Sequence, residues 1–253
     1  MKNISLAAGL GLFFTAAFFL MALFAPLIAP YGMAEVVGGV WEPASDKFLL
    51  GTDSIGRDLL SRLIYGGRTT IFIATAATLL SFSLGSVLGF LAAVMGGWVD
   101  QVLSRFVDLL MSIPSLIFAL VVLSVMPVTV LVLILVMGLL DATRVYRLAR
   151  AVAVDINVMD YVEAATLRGE GRAWIIFREI LPNALSPLVA EMGLRFIFMV
   201  LFVSTVKENA EGIVYGIGAA LWPAVAIATL AISVNLVADW VLNRTTSLKG
   251  GRG

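Results

Sequence analysis

Glu191 and Arg195 are the ionisable residues with the strongest indication of a functional role. They lie inside the otherwise uncharged apolar stretch from 184 to 206. Their i, i+4 spacing places both side chains on one face of a helix. An ionisable group within an apolar span is costly unless it is paired or faces water, so it is a functional candidate. Two interpretations are open: Arg195 attracts a carboxylate of a solute, or the two residues form an ion pair that is buried against another subunit.

The residue types that the sequence lacks exclude much other chemistry. It contains no histidine and no cysteine, so the commonest general base and the thiolates of metal sites and disulfides are missing. It also lacks the phosphate-binding pattern GxxxxGK[ST], so we expect no ATP hydrolysis by this chain. A net charge of zero argues against a nucleic-acid surface. We therefore predict no catalytic, cofactor-binding or metal-binding residue.

A polar segment near residue 160 has the pattern of a short helix outside the membrane. Asp160 and Glu163 have the spacing of a capping box, in which side chains satisfy the free N–H groups at a helix start. Gly169 is suited to the left-handed conformation that ends a helix. The sequence therefore predicts a helix that begins near Tyr161 and ends at Gly169.

This predicted helix would suit docking to another protein. Ala164 and Ala165 give it a smooth face that another surface can approach closely. A second amphipathic stretch leads to Leu181-Pro182-Asn183, where we expect the chain to turn back into the membrane.

The composition identifies lipid as the main solvent of the chain. Hydrophobic residues make up 60% and charged residues 13% of the 253 residues, and the mean hydropathy is +1.02. A soluble domain carries about 25% charged residues. We predict an all-α integral membrane protein with a single transmembrane domain. Its spans lie at about 4–30, 69–97, 102–125, 127–147, 184–206 and 213–239, with an outer segment at 31–68 and a cytoplasmic loop at 148–183.

The number of spans depends on the uncharged stretch from 109 to 140, which is long for one helix and short for two. A break near Met126-Pro127 gives six spans and puts both termini in the cytoplasm, with about twice as many Lys and Arg residues inside as outside. A five-span arrangement with the N-terminus outside also satisfies the positive-inside rule. Pro127 favours a turn and thus six spans.

Other polar and small residues have two open interpretations each. Asp53, Arg57 and Asp58 would face outside, where they could receive a binding protein or form salt bridges that order the loop. Gly85 and Gly89 form a GxxxG pattern that permits either ordinary helix packing or a seam with another subunit. For Asp108 and Asp141, at the edges of spans, we favour solvated helix ends.

The segment around Tyr161 resembles the EAA loop of ABC-importer permeases. Glu163-Ala164-Ala165, Gly169 and Leu181-Pro182 have the spacing of that loop. The region from 50 to 68 is similar to the signature that precedes the second span of dipeptide, oligopeptide and nickel permeases. The matching residues there are Gly51, Thr52, Asp53, Gly56, Arg57, Asp58 and Arg62. Further matches are Gly96 to Asp100, Arg105, Asp108, Pro114, Arg147 and Arg150.

The resemblance extends over roughly residues 20–205 and implies a type I ABC-importer permease fold with six transmembrane helices. It implies the second permease subunit of an importer of short peptides or similar small solutes in the cell inner membrane. The implied partners are a homologous permease, two cytoplasmic ATPases that bind ATP and Mg, and an extracytoplasmic solute-binding protein. The residues implied to couple to the ATPases are Tyr161, Glu163, Ala164, Ala165, Gly169, Leu181 and Pro182.

Some features depart from the family pattern. Glu179 occupies a position where this subfamily usually has histidine, and a long loop between the last two spans is replaced by the short stretch from 204 to 218. Asn235 and Asp239 match the family's ending. A nickel or metal-chelate importer is the alternative substrate class. A secondary transporter working alone is the alternative of a different class, and it would need an ion site within the membrane, for which Glu191 is the best candidate.

Overall fold

The computed structural model describes residues 5–127, 129–207 and 217–249, and of 204–207, 217–220 and 244–249 only the backbone. Within these ranges the regular elements are helices, apart from two isolated β-bridges in the outer segment. The helices are α1 Leu6–Leu23, α2 Ala25–Ile28, α3 Leu59–Met95, α4 Gly97–Met111, α5 Ser115–Val125, α6 Val130–Asn157, α7 Asp160–Leu167, α8 Arg172–Trp174, a π-helical segment Ile175–Ile180, α9 Leu181–Lys207 and α10 Ile217–Lys249. The predicted all-α membrane class is confirmed.

Four helical stretches among the described residues are long and apolar enough to cross a membrane. They are Leu6–Leu23, Leu59–Met95, Arg172–Val203 and Leu221–Asn243. The pair α4 and α5 would make a fifth if it is a single broken span. The 28-residue helix α6 is not among them, and it contains Asp141 and several arginines. The six-span arrangement therefore stays a prediction.

The helix boundaries correct one detail of the predicted spans and agree with another. The region 102–125 is not one straight helix, because α4 and α5 are bent by 79°. Pro114 lies at this bend, where it cannot donate a backbone hydrogen bond and also restricts the residue before it. The break predicted near Met126-Pro127 is present, because α5 ends at Val125 and α6 begins at Val130.

The described residues form two compact units. The first lies within 1–74 and 196–240, and the second lies within 75–195 and 241–253. In the second unit a core joins α3, α6, α7, the π-helical segment and α9. Its buried members include Phe82, Val145, Val162, Ile176 and Leu188.

The glycines of the GxxxG pattern bring α3 close to α6 within this unit. A Cβ at Gly85 would lie 2.7 Å from the carbonyl oxygen of Ala142, and one at Gly89 would lie 2.8 Å from that of Tyr146. These glycines therefore serve ordinary packing inside the chain, as one of the two interpretations expected.

In the first unit α1 approaches α10 through a glycine as well. A Cβ at Gly11 would lie 2.9 Å from the backbone oxygen of Ser233 and 2.8 Å from the Cβ of Leu236. Such contacts leave no room for a side chain, so small residues set the helix spacing in this unit too.

Candidate functional site

The helix α7 forms where the sequence predicts it, but its start is built differently. The N-cap residue is Met159, and no side chain donates or accepts a capping hydrogen bond there. Asp160 is the first helical residue, so the predicted capping box with Glu163 is wrong. Both carboxylates lie in the first turn instead, where they face the positive end of the helix dipole.

The end of α7 confirms the left-handed conformation predicted for Gly169. This glycine has a φ of 83°, in the left-handed region. Its N–H donates to the carbonyl of Thr166 at 2.9 Å, and the N–H of Glu170 donates to that of Ala165 at 3.2 Å. These two bonds form a Schellman motif, which satisfies carbonyls that the helix leaves free. Residues with a Cβ would strain this end, asparagine least of them.

The two faces of α7 differ sharply in exposure. Val162 and Ala165 are buried, and Val162 is part of the core that includes α6 and α9. Glu163 and Ala164 are exposed, and Leu167 is 82% exposed. The expectation that both alanines lie on the open face is therefore wrong for Ala165, because the helical period turns it inwards together with Val162.

Exposed apolar side chains extend beyond α7 to its neighbours in sequence. Tyr161 is partly exposed, and Val158, Met159 and Phe177 are exposed large hydrophobic residues. We call these side chains, with Ala164 and Leu167, the α7 surface. Such a cluster on a segment predicted to lie outside the membrane is typical of a protein–protein contact.

The chain does not turn at Leu181-Pro182-Asn183 as predicted. It is helical from Arg172 through the π-helical segment into α9. The N–H of Leu181 donates to the carbonyl of Ile176, five residues back, and the side chain of Asn183 donates to the carbonyl of Glu179 at 2.7 Å. The wider π turn accommodates Pro182, which has no N–H and would crowd the carbonyl of a regular turn.

Side chains of α7 and of the segment between α7 and α9 interact with one another. Burial and, second, the negative charge of Glu179 raise the pKa of the Tyr161 hydroxyl. The guanidinium of Arg168 lies 5.9 Å from the ring centroid of Trp174, within cation–π distance. Glu179, which replaces the family's histidine, lies in the π-helical segment.

The outer segment buries two of its charged residues, Asp53 and Asp58. Asp53 is 2% exposed and accepts hydrogen bonds from the backbone N–H groups of Ile55 and Arg57, both at 2.9 Å. Its Oδ2 lies 2.8 Å from Nε of Arg57 and 2.6 Å from Arg62. Burial by itself raises the pKa of Asp53, but these hydrogen bonds and the charge of Arg62 outweigh it and lower the pKa.

Thr52 and Asp58 are buried as well, and both serve the local fold. The Thr52 hydroxyl accepts from the N–H of Glu42 at 2.8 Å and donates to the carbonyl of Gly39 at 2.7 Å. Asp58 accepts from the N–H and hydroxyl of Ser61, at 2.7 and 2.6 Å, in the first turn of α3. Of the two interpretations for the outer charges, local ordering of the loop is therefore the one present.

Two glycines of the outer signature allow the loop to close. Gly51 and Gly56 have φ values of 83° and 80°. A Cβ at Gly51 would collide with the carbonyl oxygen of Glu42, and one at Gly56 with that of Gly38. The signature residues thus stabilise the local fold of the outer segment, in which Arg57 and Arg62 are partly exposed to the surface.

Glu191 and Arg195 form the intrahelical ion pair that their spacing predicts, at 2.6 Å. Arg195 also lies 3.6 Å from Oδ1 of Asp141 on α6. Asp141 is buried, so the interpretation as a solvated helix end is wrong. Asp108, by contrast, is exposed.

A second polar cluster was not singled out from the sequence. Arg150 on α6 makes a two-point ion pair with Asp100 on α4, and the hydroxyls of Ser104 and Tyr146 are 2.9 Å apart beside it. The hydrogen bond from Arg150 is the main cause that lowers the pKa of Asp100, against the effect of burial. The sequence feature that marks this pair is that Asp100 and Arg150 both lie in segments that resemble the permease family.

No group of three or more Asp or Glu side chains that could hold a metal ion occurs in the described ranges. The short stretch that replaces the family loop lies largely at 208–216, outside the described residues.

Comparisons with known proteins agree with this architecture. Residues 85–246 match the family model described as "Binding-protein-dependent transport system inner membrane component". The chain is 33% identical over 203 residues to the dipeptide transport system permease protein DppC of Haemophilus influenzae, covering 78% of this chain and 69% of the relative. It is 33% identical over 193 residues to the di/tripeptide transport system permease protein DppC of Pseudomonas aeruginosa, covering 74% and 64%.

A relative from a third organism is the oligopeptide transport system permease protein OppC of Bacillus subtilis, 29% identical over 188 residues and covering 74% of this chain and 62% of the relative. The chain thus spans somewhat over three fifths of the length of the relatives it matches. The family match covers more than half of the chain, including α6, α7 and α9. The chain therefore belongs to the family of inner membrane components of binding-protein-dependent transport systems.

Proposed function

We propose that this chain is one permease subunit of an ATP-driven importer of short peptides and forms half of its translocation pathway. The observation that carries the proposal is the α7 surface, an exposed apolar face on a helix whose opposite face is packed into the core of the chain. The relatives named as dipeptide and oligopeptide permeases support peptides, rather than nickel or a metal chelate, as the substrate class.

In this proposal the chain works with partners that supply what it lacks. A homologous permease completes the pathway, two cytoplasmic ATPases bind ATP and Mg, and an extracytoplasmic binding protein delivers the peptide. This chain does not hydrolyse ATP. Tyr161, Glu163, Ala164 and Leu167 are proposed to contact an ATPase, while Ala165, Gly169, Leu181 and Pro182 shape the segment that presents them.

The packing of α7 suggests how force would pass into the membrane. Closure of the ATPases on ATP would displace α7. Because Val162 lies in one core with residues of α3, α6 and α9, α7 cannot move far without these helices. Their displacement would then alternate access to the pathway.

We also propose six spans with both termini in the cytoplasm. The predicted break at Pro127 and the charge distribution support this arrangement. Because the native chain has no cysteine, single cysteines at Ser5 and Ser247 can be labelled selectively in intact cells. Labelling of both sites from the outside would reject this topology.

The substitution Leu167→Asp tests the coupling proposal most directly. Leu167 is 82% exposed, so its replacement should leave insertion and folding intact. A carboxylate in an apolar contact should weaken attachment of the ATPases by at least about tenfold, equivalent to about 1.4 kcal/mol. The measurement is recovery of the permease with a tagged ATPase, followed by ATP-dependent uptake of a labelled dipeptide in vesicles supplied with binding protein.

The matched control is Leu49→Asp, the same substitution at an exposed leucine of the outer segment. It should leave ATPase attachment unchanged. If Leu167→Asp kept both attachment and uptake at the level of this control, the coupling role of α7 would be rejected. Uptake by the parent chain without ATP would instead favour a secondary transporter.

A further inference from the structure

Arg195 is shared by two carboxylates that come from different helices. Its guanidinium lies 2.6 Å from Oε1 of Glu191, one turn away on α9, and 3.6 Å from Oδ1 of Asp141 on α6. All three residues lie within one compact unit of the chain. The intrahelical contact follows from the sequence spacing, whereas the contact between helices is a product of the fold.

Through this contact Asp141 receives charge compensation from another helix. Its side chain is 7% exposed, and its Oδ2 is buried without a hydrogen-bond partner among the described residues. The other cation near it, Arg144, is 3.9 Å away, 43% exposed and on the same helix. Within the described ranges, Arg195 is thus the cation that reaches Asp141 from another helix. An uncompensated carboxylate is strongly unfavourable in an apolar interior, so the pair resists separation.

The position of the pair in the chain indicates what it holds together. α6 leads into α7, and the helix from Arg172 onward, which becomes α9, follows it. The core near α7 includes buried residues of the same two helices, Ala149 and Leu188 among them. The ion pair is a polar, directional contact between these two helices, whereas apolar contacts permit small sliding movements.

We propose that Arg195 is a positioning residue whose ion pair with Asp141 locks α6 to α9, so that the two helices move as one body when α7 is displaced. The functional consequence rests on the proposed coupling role of α7. The charge balance favours this role over attraction of a solute carboxylate. Arg195 has two carboxylates beside it, and with Arg144 the cluster holds two cations and two anions, so it has no net positive charge that would attract an anion.

The experiment uses the assembled transporter and measures the distance between two spin labels. The chain has no cysteine, so labels can be placed at Leu131 on α6 and Leu185 on α9, two exposed leucines, with cysteine-free partner subunits. In the parent we expect one narrow distance distribution that is the same without nucleotide and with trapped ATP. In Arg195→Gln we expect the distribution to broaden and to change with nucleotide.

Uptake per ATP hydrolysed gives a second readout. In Arg195→Gln it should fall by about tenfold, within the usual range of coupling between distant sites, while the ATPase rate stays near that of the parent. The double variant Asp141→Asn with Arg195→Gln removes both charges and should assemble even if the single variant does not. It should show the same broadened distances and the same loss of uptake per ATP.

Arg144→Gln is the matched control, because it removes an arginine beside the same carboxylate without affecting the ion pair between α6 and α9. It should behave like the parent in both readouts. The proposal is overturned if the double variant keeps the parent distribution in both nucleotide states, or if the parent distribution itself changes with nucleotide. A parent that hydrolyses ATP without peptide uptake would reject the proposed function instead, and the distance measurement would still decide the role of Arg195.

Discussion

The outer segment and the α7 region make opposite use of residues that resemble family signatures. In the outer segment the matching polar residues Thr52, Asp53 and Asp58 are buried and hydrogen-bonded to their own loop. Around α7 the apolar residues Tyr161 and Leu167 are left uncovered. A buried polar signature specifies the fold of the chain itself, whereas an uncovered apolar one indicates a partner. The two regions should therefore respond differently to substitution.

The largest effect on stability is expected for Asp53→Asn. Asparagine keeps the size of the side chain but removes the charge that pairs with Arg57 and Arg62. Loss of a nearly buried, doubly paired carboxylate should lower the free energy of unfolding by about 3 kcal/mol. Thermal unfolding of the purified complex and proteolysis of the outer segment measure this loss.

Asp46→Asn is the control for Asp53→Asn, because Asp46 lies in the same segment and is exposed. It should change stability little. Equal stability of the two variants would contradict the contrast between the regions.

The lowered pKa of Asp53 also makes the stability of the outer segment depend on pH. Its contribution to stability is present above the ordinary aspartate value of 3.8 and is lost as the pH falls through the lower folded value.

A smaller effect is expected at Ala165, where tryptophan would be forced into a position with no exposed surface. Overpacking of this kind costs about 1–3 kcal/mol, so Ala165→Trp should lower the thermal stability of the permease itself. The neighbouring variant Ala164→Trp adds the same side chain to the exposed face. It should fold normally and lose ATPase attachment. If the two variants had the same thermal stability, the assignment of the two faces of α7 would be wrong.

The smallest of these effects is expected at Gly169. Alanine there has free space, because no atom lies within 4 Å of the added Cβ, but it must adopt a φ of 83°. The left-handed conformation costs a residue with a Cβ about 1–2 kcal/mol. Gly169→Ala should therefore loosen the end of α7 and reduce coupled ATPase activity, while Gly169→Asn should retain more of it, since asparagine tolerates this conformation. Full activity of Gly169→Ala would show that the Schellman motif is dispensable.

The sequence predicted those parts of the site that depend on local backbone chemistry. The i, i+4 spacing of Glu191 and Arg195 places them on one helix face, and the pair is present. Gly169 ends α7 because the left-handed conformation is a property of the residue type. The apolar composition likewise determined a membrane protein made of helices, since a backbone in lipid must satisfy its own hydrogen bonds.

The tertiary structure decided what depends on which helix lies beside which. Asp141 reads in the sequence as a helix end, and its burial beside Arg195 arises from the packing of α6 against α9. Asp100 and Arg150 are distant in sequence, and only the fold makes them a pair. Ala164 and Ala165 are adjacent residues of the same type, but only the side on which the core lies decides that Ala164 is exposed and Ala165 is buried. Spacing along a chain sets contacts within one helix, whereas contacts between helices depend on rotations and separations that a single sequence does not encode locally.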